Sequence, residues 1–99
     1  MDKLGDLVIR VRSKNAGPFW VTVDIFCKNL EQMNEISTAC SSERIARLVA
    51  VPESSIKRFE IPYLSVIKIS FPRPHPQGSL KDRDMHGAQT ALLFETIDV

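Results

Sequence analysis

The chain has 99 residues, with 13 Lys plus Arg against 12 Asp plus Glu, enough for one domain around one core. So even a balance argues against a nucleic-acid protein, which needs a basic excess to neutralise phosphates, and the bases form no polybasic membrane arm. No apolar run approaches the roughly 18–20 residues of a membrane span.

The opening Met1-Asp2-Lys3-Leu4-Gly5-Asp6 lacks the apolar stretch of a signal peptide, so a cytoplasmic location is expected. Residues 6–12 read as a strand, Leu7, Ile9 and Val11 alternating with Val8, Arg10 and Arg12. Ser13-Lys14-Asn15-Ala16-Gly17-Pro18 then breaks the pattern with turn residues. Residues 20–27 form the clearest strand. Val21, Val23, Ile25 and Cys27 belong in the core; Trp20, Thr22, Asp24 and Phe26 make a mixed outer face, of the kind often covered by a helix or another chain.

Helical signals follow. Asn29 with Gln32 three residues on suggests a capping box, and Leu30, Met33 and Ile36 share a face. A second helix is expected from Ser41 or Ser42, burying Ile45, Leu48 and Val49 and stopping at Pro52. Residues 56–61 and 64–71 read as strands separated by a bend at Pro62. Pro72-Arg73-Pro74-His75-Pro76 favours a stiff extended segment, because proline locks φ and has no N–H for a sheet. Lys81 to Gly87 reads as a polar loop, and Ala88 to Val99 as a short helix, a closing strand, or one followed by the other. Strands on both sides of a helical segment predict an α+β domain, an antiparallel-rich sheet of four or five strands with helices on one face. Cys27 and Cys40 show neither a C-x-x-C pair nor zinc spacing, so they are expected to be free, half-buried thiols.

Two stretches carry the candidate chemistry. In the first, Arg12, Ser13, Lys14, Asn15 and Gly17 gather positive charge, hydroxyl and amide groups after a strand, a combination suited to a carboxylate or phosphate. A polar hairpin turn with solvated bases is the plainer account of the same residues. In the second, Arg73, Arg83 and Gln89 add anion-binding groups, and Asp82, Asp84 and His86 recur at alternate positions. These last could move a proton, His86 being oriented by an acid, or hold a cation; a metal normally needs ligands from more than one segment, so none is assigned. The alternative is a solvated loop in which Asp82, Arg83 and Asp84 pair with one another. No G-x-S-x-G, P-loop, G-x-G-x-x-G or H-E-x-x-H is present. So small a chain has little room for a deep pocket, which points to a site completed by another chain.

The same stretches resemble a family. Arg12 to Phe19 with Thr22-Val23-Asp24-Ile25-Phe26, Ile45-Ala46-Arg47-Leu48, Pro72-Arg73-Pro74 with Gly78-Ser79, and Asp82-Arg83-Asp84 with Gly87-Ala88-Gln89 follow the pattern of domain of unknown function 4387. The resemblance spans nearly the whole chain. Members of that family look like companions of AtuA-like proteins of acyclic terpene and small-carboxylate catabolism. They are also similar to the C-terminal ferredoxin-like domain of those proteins, which opens on an Arg-Ser-Gly-Asp-Lys-Gly type loop; Arg12-Ser13 match it and Lys14-Asn15-Ala16-Gly17 depart. The resemblance implies a single ferredoxin-like domain over 1–99. It implies a non-catalytic or co-catalytic small subunit or partner of an AtuA-like protein in organic-acid or acyl-CoA catabolism, not active alone, in a complex of lyase or hydratase type. A self-contained homo-oligomeric enzyme and a small-acid-binding regulatory module are the competing readings.

Overall fold

A computed structural model of the chain describes residues 2–73 and 89–99. Its elements are α1 (Leu4–Leu7), β1 (Arg10–Asn15), β2 (Trp20–Phe26), α2 (Leu30–Ala39), α3 (Ser42–Val49), β3 (Lys57–Ile61), β4 (Val66–Pro72) and α4 (Gln89–Glu95). The strands form one sheet in the order β1-β2-β4-β3, each neighbouring pair antiparallel. The α+β architecture is the one expected, and its layering is that of a ferredoxin-like sandwich. The chain reaches it through two hairpins joined by the α2–α3 pair. The expected proline-rich segment after Arg73 and the polar loop to Gly87 lie outside the described residues.

Alternation decides the two faces of the sheet. Val21, Val23 and Ile25 of β2 stand directly opposite Phe71, Ile69 and Ile67 of β4. Val23, Ile25, Ile67 and Ile69 are fully buried, so the register that puts them in the core holds. Met33 and Ile36 of α2, Ile45 of α3, and Ala91 and Phe94 of α4 join the same core. All three of these helices therefore cover one face. Leu48 is only partly buried against it. None of the described helices is long and apolar enough to cross a membrane.

Caps fix the helix starts. Asn29 accepts from the Gln32 N–H, while the Gln32 side chain reaches back to accept from Lys28 N–H and donates to Leu7 O. Ser41 accepts from the Arg44 N–H. Leu30 departs from the expected stripe: it is about half exposed at the first helical position, and burial starts a turn later at Met33. The second helix ends at Ala50, in the left-handed conformation (φ 58°), before Pro52 is reached.

The expected strand at 6–12 is corrected. Residues 4–7 are helical, Ile9 is exposed, and β1 begins at Arg10 and runs through Asn15. In Leu7-Val8-Ile9 both phases of the alternation are apolar, so periodicity could not locate the strand. Its position comes from pairing instead, Arg10 opposite Phe26 through Asn15 opposite Val21. The turn contracts to Ala16–Phe19, where Gly17 takes φ 84° at the position that needs a residue without Cβ. The two chain ends close the domain: Leu4 N–H donates to Ile97 O, Val99 N–H to Asp2 O, and Lys3 pairs with Asp98 at 2.6 Å.

Candidate functional site

Because β1 extends through Asn15, the five residues of the first candidate stretch do not share one concavity. Period-two geometry sends Ser13 and Asn15 to the helix-covered face and Arg12 and Lys14 to the outer face. Gly17 is in the hairpin turn.

On the covered side, the end of the sheet gathers residues far apart in sequence. The Arg73 N–H donates to Phe19 O at 2.6 Å, which continues the β2–β4 ladder one residue past β4. This places the Arg73 guanidinium beside Asn15, to whose side-chain oxygen it donates. Ser13 Oγ accepts the Ala91 N–H of α4 at 2.8 Å. Ser13, Asn15 and Arg73 thus form one corner, next to the helix that Gln89 opens. Each of the three is half-buried. A guanidinium is a planar fork of N–H donors, the group with which arginine binds a carboxylate bidentately. Arg83, Asp82, Asp84 and His86 lie outside the described residues, and of Gln89 only the backbone is described. Among the described residues no group of three His, Cys, Asp or Glu is placed to hold a metal ion.

The outer face is different in kind. Its cross-strand rows run Arg10–Phe26–Val66–Ile61, Arg12–Asp24–Lys68–Phe59 and Lys14–Thr22–Ser70–Lys57, with Trp20 beside Pro72 at the end. Thr22 and Ser70 hydrogen-bond through their hydroxyls at 3.1 Å. Lys68 approaches Asp24 only to 4.0 Å, and Asp24 Oδ1 is shielded from solvent with no hydrogen-bond partner. Arg10 lies over the Phe26 ring at 5.0 Å and Lys57 over the Trp20 ring at 4.9 Å. This arrangement was legible in part, since the mixed face of residues 20–26 was read from alternation. Of the bases that β1 adds, Arg10 and Arg12 already shared one phase of the expected strand, whereas Lys14 did not, because residues 13–18 read as a turn.

Other polar features are occupied structurally. An open cleft between α3 and the C-terminus is lined by Arg44, Arg47, Leu48, Thr96, Ile97 and Asp98. Its ions already have partners: Arg47 pairs with Glu43, Arg44 donates to Ala39 O, and Asp98 takes Lys3. The Lys3 hydrogen bond and charge hold the exposed Asp98 carboxyl below its ordinary range.

Cys27 and Cys40 are free and fully buried, more so than the half-burial expected. Burial pushes the Cys27 thiol up to about 11, with the neighbouring Cys40 adding to the effect. Burial raises Cys40 as well, against the pull of Arg44 and Arg58. Since the thiolate is the nucleophile, both thiols should be inert in the native protein at pH 8. Iodoacetamide labelling followed by mass spectrometry should show almost no modification within the time that fully labels the denatured chain; equal rates in the two states would contradict the burial. The folded pKa of Cys27 is raised, so its contribution to stability is complete below the ordinary thiol pKa and is lost as pH rises through about 11.

With this geometry in place, a family model described as a domain of unknown function (DUF4387) matches residues 4–97. No curated protein and no solved structure matches the chain.

Proposed function

We propose that this chain, which belongs to the DUF4387 family, is a small cytoplasmic subunit that binds an organic acid or acyl-CoA together with a larger AtuA-like protein, in a complex of lyase or hydratase type. The observation that carries the reading is the corner at the end of the sheet, where Arg73 meets Asn15 across 58 residues of sequence and Ser13 holds α4 beside them. It is a half-buried guanidinium just past a strand end, the kind of group that orients a carboxylate or phosphate. Gly17, Arg83 and Gln89 remain candidates for the same ligand, and Asp82, Asp84 and His86 for its proton transfers; Arg12 and Lys14, proposed from the sequence for the same site, stand on the opposite face of the sheet and are set aside from this corner. The partner is invoked because so small a chain has little room for a deep pocket of its own.

The test is co-expression with an AtuA-like protein, followed by calorimetric titration of short carboxylates and CoA thioesters into each chain alone and into the complex. Binding by the complex, and weak or no binding by either chain, is expected. In the complex, Arg73→Ala should weaken affinity by about 1.5–3 kcal/mol, the worth of a hydrogen bond to a charged group, with little change in Tm. If Arg73 serves only to pin Asn15, Tm falls and affinity is unchanged, which would remove the corner from the site.

A further inference from the structure

We propose that the outer face of the sheet is the docking surface for a protein partner whose contacting surface is acidic and carries apolar side chains. The inference deepens the subunit reading, on which it rests, by naming the chemistry of the partner and the face it covers.

Four observations carry it. First, α2, α3 and α4 all contribute to the core on the opposite side, and no described helix packs on this face. Second, the face is apolar in its parts: Phe59 is 56% exposed, Trp20, Phe26 and Ile61 are half-exposed, and the rows of side chains are continuous across four strands. Third, its charge is one-sided. Arg10, Arg12, Lys14, Lys57 and Lys68 stand there against Asp24, in a chain whose formal net charge is only +1. Five of the 13 basic residues therefore stand on this face against one of the 12 acidic ones. Fourth, Arg12 and Lys14 make no hydrogen bond or ion pair with any described side chain, so their charge is open to a partner.

The same details choose among occupants. A second copy docking face to face would set these cations against themselves, because a two-fold interface presents one patch to its own image. A single-stranded nucleic acid would stack its bases on exposed ring faces. Here Arg10 covers the Phe26 ring and Lys57 covers the Trp20 ring. An acidic protein surface needs neither ring. Its carboxylates meet the cations of β1 with Lys57 and Lys68, and its apolar side chains meet Phe59 and Ile61 along β3. Such a surface gives steering from the charges and burial along the β3 side.

Trp20 is the one tryptophan of the chain and lies on this face, so its fluorescence reports occupancy directly. Three proteins would be compared: the wild type, the double variant Arg10→Glu/Lys57→Glu, and the control Lys28→Glu/Arg47→Glu, which carries the same change of net charge elsewhere. None of these positions belongs to the Arg73 corner. The probes are a random glutamate–tyrosine copolymer and an oligothymidylate, with Trp20 excited selectively. The copolymer should shift Trp20 emission saturably in the wild type and the control, and bind about tenfold or more weakly to the face variant. An equal loss in the control, or no Trp20 response, would overturn the proposal. Tighter binding of the oligothymidylate would assign the face to nucleic acid. A wild-type dimer in sedimentation that the face variant dissolves would assign it to a second copy. In the co-expressed complex, a face variant that still co-purifies at full yield sinks this face alone, whereas a wild type that brings down no partner sinks the subunit reading beneath it.

Discussion

Replacing Phe94 with alanine should cost about 3–5 kcal/mol, the range for truncating a fully buried aromatic side chain. Phe94 has no exposed surface, and its ring stacks on Phe71 with centroids 6.1 Å apart and planes 10° from parallel. A domain of this size has a total stability of about 5–15 kcal/mol, so the loss is a large part of the whole. The helix that carries it has seven residues, too few to persist without packing. Its other anchors are Ala91 and Ile97 in the core, the Ser13–Ala91 hydrogen bond, and a close approach to α1. There Gly5 leaves room for Glu95, whose Cβ would lie 2.8 Å from any Cβ at position 5. Loss of Phe94 should therefore loosen α4 first. Amide exchange should rise in residues 91–97 more than in β2 and β4, and the melting temperature should fall by more than about 10 °C. A loss below about 1 kcal/mol, or uniform exchange across the chain, would mean that α4 is not held by this ring.

Arg58→Ala should be the largest effect of any charged residue outside the candidate site, about 2–4 kcal/mol. Arg58 sits on edge strand β3 opposite Ile69, so its side chain enters the covered face. There its guanidinium donates to Cys40 O, Ser37 O and Ser37 Oγ. These carbonyls end α2, where the last C=O groups lack helical partners and the helix dipole is negative. The charge is thus set where both its hydrogen-bonding and its electrostatics are favourable, and it ties the edge strand to the helix above it. Arg58→Lys keeps the charge but cannot span two carbonyls with one fork, and should recover less than half of the loss. Chemical denaturation of the three proteins would measure this. Full rescue by lysine would show that charge alone is responsible.

Much of the fold could be read from the chain. Alternation in Val21-Thr22-Val23-Asp24-Ile25 and in Ile67-Lys68-Ile69-Ser70-Phe71 fixed two central strands, because one buried face imposes a period of two. Asn29 and Ser41 marked two helix starts through the N–H groups they accept. The site was legible only as composition. Arg12 to Asn15 read as a loop with donors, whereas pairing with β2 made it strand and sent its bases and its small polar residues to opposite faces.

What the amino-acid order determined by itself was local: which residues can alternate, which can cap, where glycine must take a positive φ. It also carried the family pattern over residues 4–97. What only the tertiary structure decided was which segments meet. Arg73 reaches Asn15 because β4 lies beside β2 and the ladder runs one residue past its end. Arg58 finds the end of α2 because the helix crosses back over the second hairpin. Arg10 and Lys57, at opposite edges, share one face because four antiparallel strands keep a common register. Such contacts depend on strand order and on which face the helices cover, and both are set by burial summed over the whole chain rather than by any local propensity.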